Sequence, residues 1–315
     1  MKQYVVFDSH CDTPAEIWRK KETMERNSCH VSLPRAEALG GYGQFFAFCT
    51  LPGCNTGYTC QQLLWEPYHY FMEQLRENEQ TMMLCTKGQQ YDEALAAGKT
   101  AAFLSIEGPE GFDCDPGRLE EIREAGITML NLNWNADNAL CGCSKYDGPG
   151  LSAQGKEFVR RGQQLGMIID VSHTSDRAFW DLMDITEKPI VASHSNSRAL
   201  CGHSRNLTDE MFKALCDCGG YAGINLCDEF LDERPGAADL EAIYRHMDHF
   251  LNISGGAHVA LGGDLDGIEV LPKGFAGVDS YQKLAQYLEN KGFSTETIEN
   301  IYSKTMKKVV TVCTM

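Results

Sequence analysis

No stretch of this 315-residue chain approaches the roughly 20 consecutive apolar residues that cross a bilayer, which excludes a helical membrane protein. The apolar run within the opening MKQYVVFDSH is too short for the core of a signal peptide, so a cytoplasmic protein is expected. Positive charge is scarce. Lys and Arg number 28 against 44 Asp and Glu, and the formal charge of -16 repels nucleic-acid phosphates and anionic lipid headgroups. No nucleic-acid or membrane partner is expected, and a small or peptidic ligand is favoured. The C-x-x-C spacing of thioredoxin-like and zinc-knuckle motifs is also missing. The fourteen cysteines are scattered, and the close pairs Cys141/Cys143 and Cys216/Cys218 are C-x-C. Reduced, buried thiols fit that distribution better than a disulfide scaffold or a cysteine-bound metal. There is no internal repeat, no low-complexity segment and no composition shift that marks a second domain.

With 43% hydrophobic and 23% charged residues, the chain has the composition of a soluble globular protein able to build a large core. Short apolar runs recur, most ending on a polar residue: YVVFDSHCD (4–12), GQFFAFCT (43–50), TAAFLSIEG (100–108) and ITMLNLNWN (127–135). Four more follow, GMIIDVSHTS (166–175), PIVASHSNS (189–197), GGYAGINLC (219–227) and HVALGGDLDG (258–267). Between most of them lie helix-like stretches such as GRLEEIREAG and LEAIYRHMDHFLN, with apolar residues at three- and four-residue spacing. Near-continuous apolar strands alternating with helices predict a parallel sheet buried on both faces. Eight of them in a chain of this length predict a TIM (β/α)8 barrel, with residues 1–315 forming a single domain. A doubly wound open sheet is the alternative, but no Gly-rich phosphate turn follows the first run, where FDSHCD stands instead. The long connection from 51 to 100 reads as a Gly- and Cys-containing loop (LPGCNTGYTC) and two helices, and STETIENIYSKTMKKVVTV as one or two terminal helices closing the barrel.

In a strand, residues i and i+2 point to the same side, so His10 and Asp12 are expected to face the barrel interior while Cys11 points into the wall. Imidazole and carboxylate together suit zinc and similar divalent ions. Other predicted strands end in the same chemistry: the third at Glu107, the fifth at His173, the sixth at His194 and the eighth at Asp264. In a TIM barrel the carboxyl ends of the strands converge on one mouth, so these residues are expected to share one small volume. Three carboxylates crowded there repel one another and are driven towards protonation unless cations compensate. Two metal ions fit this many ligands better than one. Such a site clamps an attacking hydroxide and polarises the electrophile, which points to hydrolysis.

With those residues placed, the chain resembles the membrane dipeptidase (renal dipeptidase) family, peptidase family M19 of the amidohydrolase superfamily, over nearly its whole length. The resemblance rests on FDSHCDTP, SIEGPEGF (105–112), GMIIDVSHTSD (166–176), PIVASHSNSRALCGHSRNLTDEM (189–211) and HVALGGDLDGI (258–268). It implies a metallodipeptidase in which His10 and Asp12 hold one zinc, His173 and His194 hold the other, and Glu107 bridges both. Asp264 resembles the family's acid/base carboxylate, and Arg205, in GHSRNLTD, its binder of the substrate carboxylate, for which a guanidinium fork is suited. Arg198 competes for that role but is better read as solvated or helix-pairing, while Asn206 and Asp209 shape the loop and begin the next helix. A homodimer is likewise what the resemblance implies.

The chain departs from the family in ITMLNLNWNADN. Where the mammalian members carry a His that polarises the scissile carbonyl, this chain has Trp134, whose indole N–H is only a donor. Asn133, Asn135 or the second metal are the candidates to substitute, or Trp134 walls an apolar side-chain pocket. The family's usual Asn near the end of the chain is also absent, with Thr305 there or nearby and no role assigned to it. The expected activity is hydrolysis of dipeptides by a metal-bridging hydroxide, with a D-residue at the C-terminal position left open. Hydrolysis of another small amide or ester, such as an acyl-amino acid or lactone, and a non-catalytic metal- or peptide-binding role are the alternatives.

Overall fold

A computed structural model of the chain describes residues 2–50, 57–146 and 148–315. Its parallel strands are β1 (Val6–Cys11), β2 (Tyr42–Cys49), β3 (Met82–Leu84), β4 (Thr100–Glu107), β5 (Ile127–Asn131), β6 (Ile168–Asp170), β7 (Ile190–Ala192), β8 (Tyr221–Ile224) and β9 (Val259–Leu261). β1 pairs with β9, and β2 pairs with β4 over Gly43–Cys49, so eight of the strands close into the expected TIM barrel with helices around it. β3 is the element that the apolar pattern missed. Its three residues pair with Thr100–Ala102, at the start of β4, along the edge that β5 takes over from Leu104. Three residues are too few to display a period of two. The two helices expected around it are present at Cys60–Glu77 and Gly88–Ala96, whereas residues 51–56 of the expected loop lie outside the described residues.

Alternation along each strand divides the core in two. Phe7, Phe45, Phe103, Met129, Ile168, Val191, Tyr221 and Ala260, one from each barrel strand, point inward and form the floor. Helix Thr305–Cys313 adds Met306, Val309, Val310 and Cys313 to the same cluster, so the terminal helix closes this end as expected. Their strand neighbours, among them Val6, Phe46, Leu104, Leu130 and Ile169, face outward against the helices. Burying each large side chain contributes about 1.5–3 kcal/mol.

One step above the floor the inward positions turn polar: Ser9, Ser105, Asn131, Asp170 and Ser193 are all fully buried. At Gly223 and Gly262 a Cβ would stand 2.0 and 1.8 Å from the Ser193 carbonyl oxygen. Only glycine lets the end of β7 approach β8 and β9 this closely, and that approach sets the backbone that carries His194.

Candidate active site and metal centre

A cavity of about 770 Å³ lies at the carboxyl ends of the strands, and its lining includes Asp12, Glu107, Trp134, Asn135, His173, Arg205 and Asp264. His10 and His194 are fully buried beside it, their Nε2 atoms 3.6 and 3.4 Å from Glu107 Oε1. The candidate ligands, Asp264, Arg205, Trp134 and Asn135 are therefore brought together, although fewer of them sit on strands than the pattern suggested. Glu107 is the last residue of β4. A register shift between Asp8 and Cys11 interrupts the alternation of β1 at His10. Asp12 lies beyond β1, at the N-cap of helix Thr13–Lys20, where its side chain makes no cap hydrogen bond. The strands expected to end at His173, His194 and Asp264 end at Asp170, Ala192 and Leu261, and the three side chains project from the segments that follow. His173 and Asp264 have left-handed backbone, φ 75° and 54°, which costs a non-glycine residue about 1–3 kcal/mol and recurs where function fixes a side chain.

The ring nitrogens converge on Glu107. Its Oε1 lies 2.9 Å from His173 Nε2, 3.4 Å from His194 Nε2 and 3.6 Å from His10 Nε2. His10 Nε2 is also 3.4 Å from Asp12 Oδ2 and 3.8 Å from Asp264 Oδ1. Burial pushes the Glu107 carboxyl up to about 8, against the pull of His10 and with added repulsion from Asp12 and Asp264. Burial opposes the charge on His10, but Glu107, Asp12 and Asp264 outweigh it and hold that imidazole at about 10. His173 and His194 are pushed well below the usual histidine range, first by burial and then by the neighbouring cations. Asp264 is raised by burial.

This donor set fits divalent metal. Neither ring nitrogen of fully buried His10 has a hydrogen-bond partner. The groups His10–Glu107–His194 and His10–Asp12–Asp264 each bring three ligand atoms within 4.8 Å of one another. Cations relieve the repulsion among the carboxylates and use the lone pairs that the imidazoles present.

Arg205 is buried among uncharged partners. Its guanidinium makes long contacts of 3.3 Å to Ser195 Oγ and 3.4 Å to the His194 carbonyl, and its Nε has no partner. The Phe230 ring lies 5.4 Å below it. Arg198, the competing candidate, is bound bidentately to Asp176 at 2.6 and 2.8 Å, in the helix-pairing role expected of it. Asn206 does shape its loop, bonding the carbonyls of Cys201 and Phe230. Asp209 opens helix Asp209–Asp217, which Thr208 caps.

Trp134 lines the cavity, its ring centre 6.4 Å from that of His173. Asn135, considered as a substitute donor to substrate, places its Oδ1 3.0 Å from His173 Nδ1 and so orients that imidazole. Asn133 is fully buried, makes no side-chain hydrogen bond and is not part of the cavity lining; Thr305 is not part of it either. None of the metal-ligand groups among the described residues contains a cysteine. Four partners of the site escaped the sequence reading. Asn225 donates to Asp264 Oδ2 at 2.9 Å. Buried Asp8 accepts the N–H groups of His10 and Gly263. Asp170 and Ser193 lie behind His194. Their signal was present, since Asp8, Asp170 and Asn225 all sit at the polar ends of apolar runs.

Convergent imidazoles and carboxylates at the carboxyl face of a closed parallel barrel define a metal-dependent hydrolase of the amidohydrolase type. The family model for Membrane dipeptidase (Peptidase family M19) matches residues 1–313, and the chain belongs to that family, as a metallodipeptidase. A protein of Klebsiella pneumoniae, known only as an uncharacterized protein in the pqqA 5' region, is 32% identical over 258 residues, covering 79% of this chain and 95% of that one. An uncharacterized dipeptidase of Schizosaccharomyces pombe is 33% identical over 230 residues, covering 69% of this chain and 55% of that protein. Among solved structures, a metallopeptidase from Rhodobacter sphaeroides, liganded with a phosphinate mimic of the dipeptide L-Ala-D-Ala, superposes with a TM-score of 0.92. It is 22% identical, with coverage of 99% of this chain and 100% of that one. A dipeptidase of family M19 gives a TM-score of 0.91 at 23% identity, covering 99% of both chains. These two likenesses are of fold.

Proposed function

We propose that the protein is a zinc-dependent dipeptidase acting on dipeptides with a free C-terminal carboxylate. In this reading His10 and Asp12 hold one ion, His173 and His194 hold the other, and Glu107 contacts both. The observation that carries the substrate assignment is Arg205, a buried guanidinium that has no carboxylate on it and no partner at Nε among the described residues, in the same cavity as the ligand cluster. A buried cation so placed is suited to a substrate carboxylate. Bound divalent ions supply Lewis acidity at the scissile carbonyl and a water that is nucleophilic near neutral pH. Asp264, its Oδ2 held by Asn225, would take a proton from the attacking water and deliver it to the leaving amine. Trp134 walls the side-chain region of the cavity.

The fold likeness to the Rhodobacter sphaeroides enzyme supports including L-Xaa-D-Xaa substrates. A panel of L-Xaa-L-Xaa and L-Xaa-D-Xaa dipeptides, assayed with and without chelator, is expected to show chelator-sensitive turnover. Absence of metal-dependent turnover on every dipeptide would sink the proposal. Arg205→Gln is expected to lower kcat/KM by about 30-fold or more, the loss of about 2–5 kcal/mol typical of a buried charge pair. Trp134, in place of an imidazole, favours a second reading, hydrolysis of an acyl-amino acid. Acyl-amino acids in the same panel decide between the two. The proposal also takes residues 1–315 as one catalytic domain. Its cytoplasmic placement is supported by thirteen described cysteines without a disulfide, and its homodimeric state by the family resemblance, to be tested by sedimentation.

A further inference from the structure

His194 presents Nε2 to the ligand cluster, and its other ring nitrogen leads inward. Ser193 Oγ lies 2.6 Å from His194 Nδ1, and the same hydroxyl bonds Oδ2 of Asp170. Asp170 is fully buried in the polar layer, and its Oδ1 accepts the backbone N–H of Ser172 and of Ser193, each at 2.9 Å. Those two donors cannot reverse, so Oδ1 is an acceptor, and Oδ2 accepts from the Ser193 hydroxyl. The single Ser193 hydroxyl proton therefore points at Asp170, and Ser193 Oγ offers His194 only lone pairs. Ser172 Oγ, 3.4 Å from Ser193 Oγ, already accepts the His194 N–H at 3.1 Å and can give its own proton to Ser193, which leaves every partner satisfied. His194 Nδ1 must then carry the ring proton. A neutral imidazole has one such proton, so Nε2 is left as a lone pair that faces His173 Nε2 at 3.0 Å and Glu107 Oε1 at 3.4 Å.

We propose that Asp170 is a positioning residue which, through Ser193, sets the hydrogen-bond polarity that makes Nε2 of His194 the metal-accepting nitrogen. The inference rests on the proposed function only in taking His194 as a ligand. Its readouts use no substrate, so its failure is separable from a failure of dipeptide hydrolysis.

The test compares wild type, Asp170→Asn and Ser193→Ala by 15N NMR of the imidazoles in zinc-free protein and by zinc affinity in chelator competition. Wild type is expected to show His194 protonated at Nδ1. In Asp170→Asn the amide oxygen keeps the two backbone bonds and an NH2 replaces Oδ2. Ser193 then turns its proton to Nδ1, and the ring proton moves to Nε2. Zinc affinity is expected to fall about 100-fold, the upper range for loss of a partner behind a metal ligand. Ser193→Ala deletes the relay without reversing it, so mixed tautomers and a loss of about tenfold or less are expected. A purely structural role would not order the variants this way, since Ser193→Ala removes more atoms.

Three results would overturn the inference: wild-type His194 protonated at Nε2, Asp170→Asn binding zinc as tightly as wild type, or Ser193→Ala losing more affinity than Asp170→Asn. If Asp170→Asn fails to fold, the wild-type spectrum and the tautomers of Ser193→Ala decide, an unchanged pure Nδ1–H form in that variant counting against the relay. Wild type that takes up no zinc would count against the metal reading, and its tautomer would still decide the relay.

Discussion

At the scale of single residues, Trp134 separates chemistry from recognition. The half-buried indole lines the same cavity as Leu63 and Pro67, apolar surface in a cavity that also holds Glu107, His173 and Asp264. If that surface only receives a substrate side chain, its removal weakens ground-state and transition-state binding alike. Trp134→Ala is expected to raise KM about tenfold for dipeptides with a bulky apolar residue and to change kcat by less than about threefold, about 1.4 kcal/mol of lost burial. A collapse of kcat at unchanged KM would instead place the indole on the reacting carbonyl. Residue identity made most of the candidate site legible in the sequence, because His10, Asp12, Glu107, His173, His194 and Asp264 have little reason to end apolar runs except to meet something. The partners behind them were harder to read. Whether Asn135 faces substrate or holds His173 depends on a 3.0 Å contact across 38 residues of chain.

At the scale of elements, the loops after the strands are fixed by buried polar ties. Helix Leu240–Ser254 contributes His246, whose Nδ1 accepts the Ser197 N–H at 3.0 Å and whose Nε2 donates to the Leu231 carbonyl at 3.1 Å. It thereby joins the segment after β7, which carries Arg205, to the segment after β8. Burial lowers His246 to about 4, so this ring is neutral in the folded protein at pH values where the unfolded chain, near 6.5, is already protonated. Between those values the unfolded state binds more protons, and stability rises with pH. Its contribution is complete above about pH 6.5 and is lost as pH falls towards 4, roughly 3 kcal/mol over that window. His246→Gln is expected to flatten the fall in thermal stability between pH 6.5 and 4 relative to wild type. Equal slopes for the two proteins would refute that assignment. Similarly, Asn138 donates to Glu110 Oε1 and to the Leu132 carbonyl, both at 2.8 Å, and fixes the loop that carries Trp134 and Asn135. Element type and order were legible for eight strands. The ends were not, because turns with left-handed residues such as His173 and Asp264 continue the composition of the strand that precedes them.

At the scale of the whole molecule, the apolar floor and the outer core hold the barrel without help from the site. Chelation is therefore expected to leave a folded protein whose Tm rises by several degrees when zinc is restored. Binding at 100 times Kd contributes about 2.7 kcal/mol by mass action, and each kcal/mol moves Tm by about 2–4 °C or less in a chain this long. Unfolding on chelation, or a Tm indifferent to zinc, would contradict this picture. The sequence by itself determined a parallel sheet covered by helices, because eight apolar runs alternating with amphipathic helices can bury both faces only in one, and it determined which residue types reach the mouth, because chemistry and strand period are local; the pairings of β1 with β9 and β2 with β4 close that sheet into a barrel. Only the tertiary structure decided which nitrogen faces which oxygen. It also decided that, among the described residues, Arg205 rather than Arg198 is left without a carboxylate, and that Asp170 reaches His194 through Ser193. Those choices depend on distances between residues far apart in the chain, and only the closure of the barrel sets them.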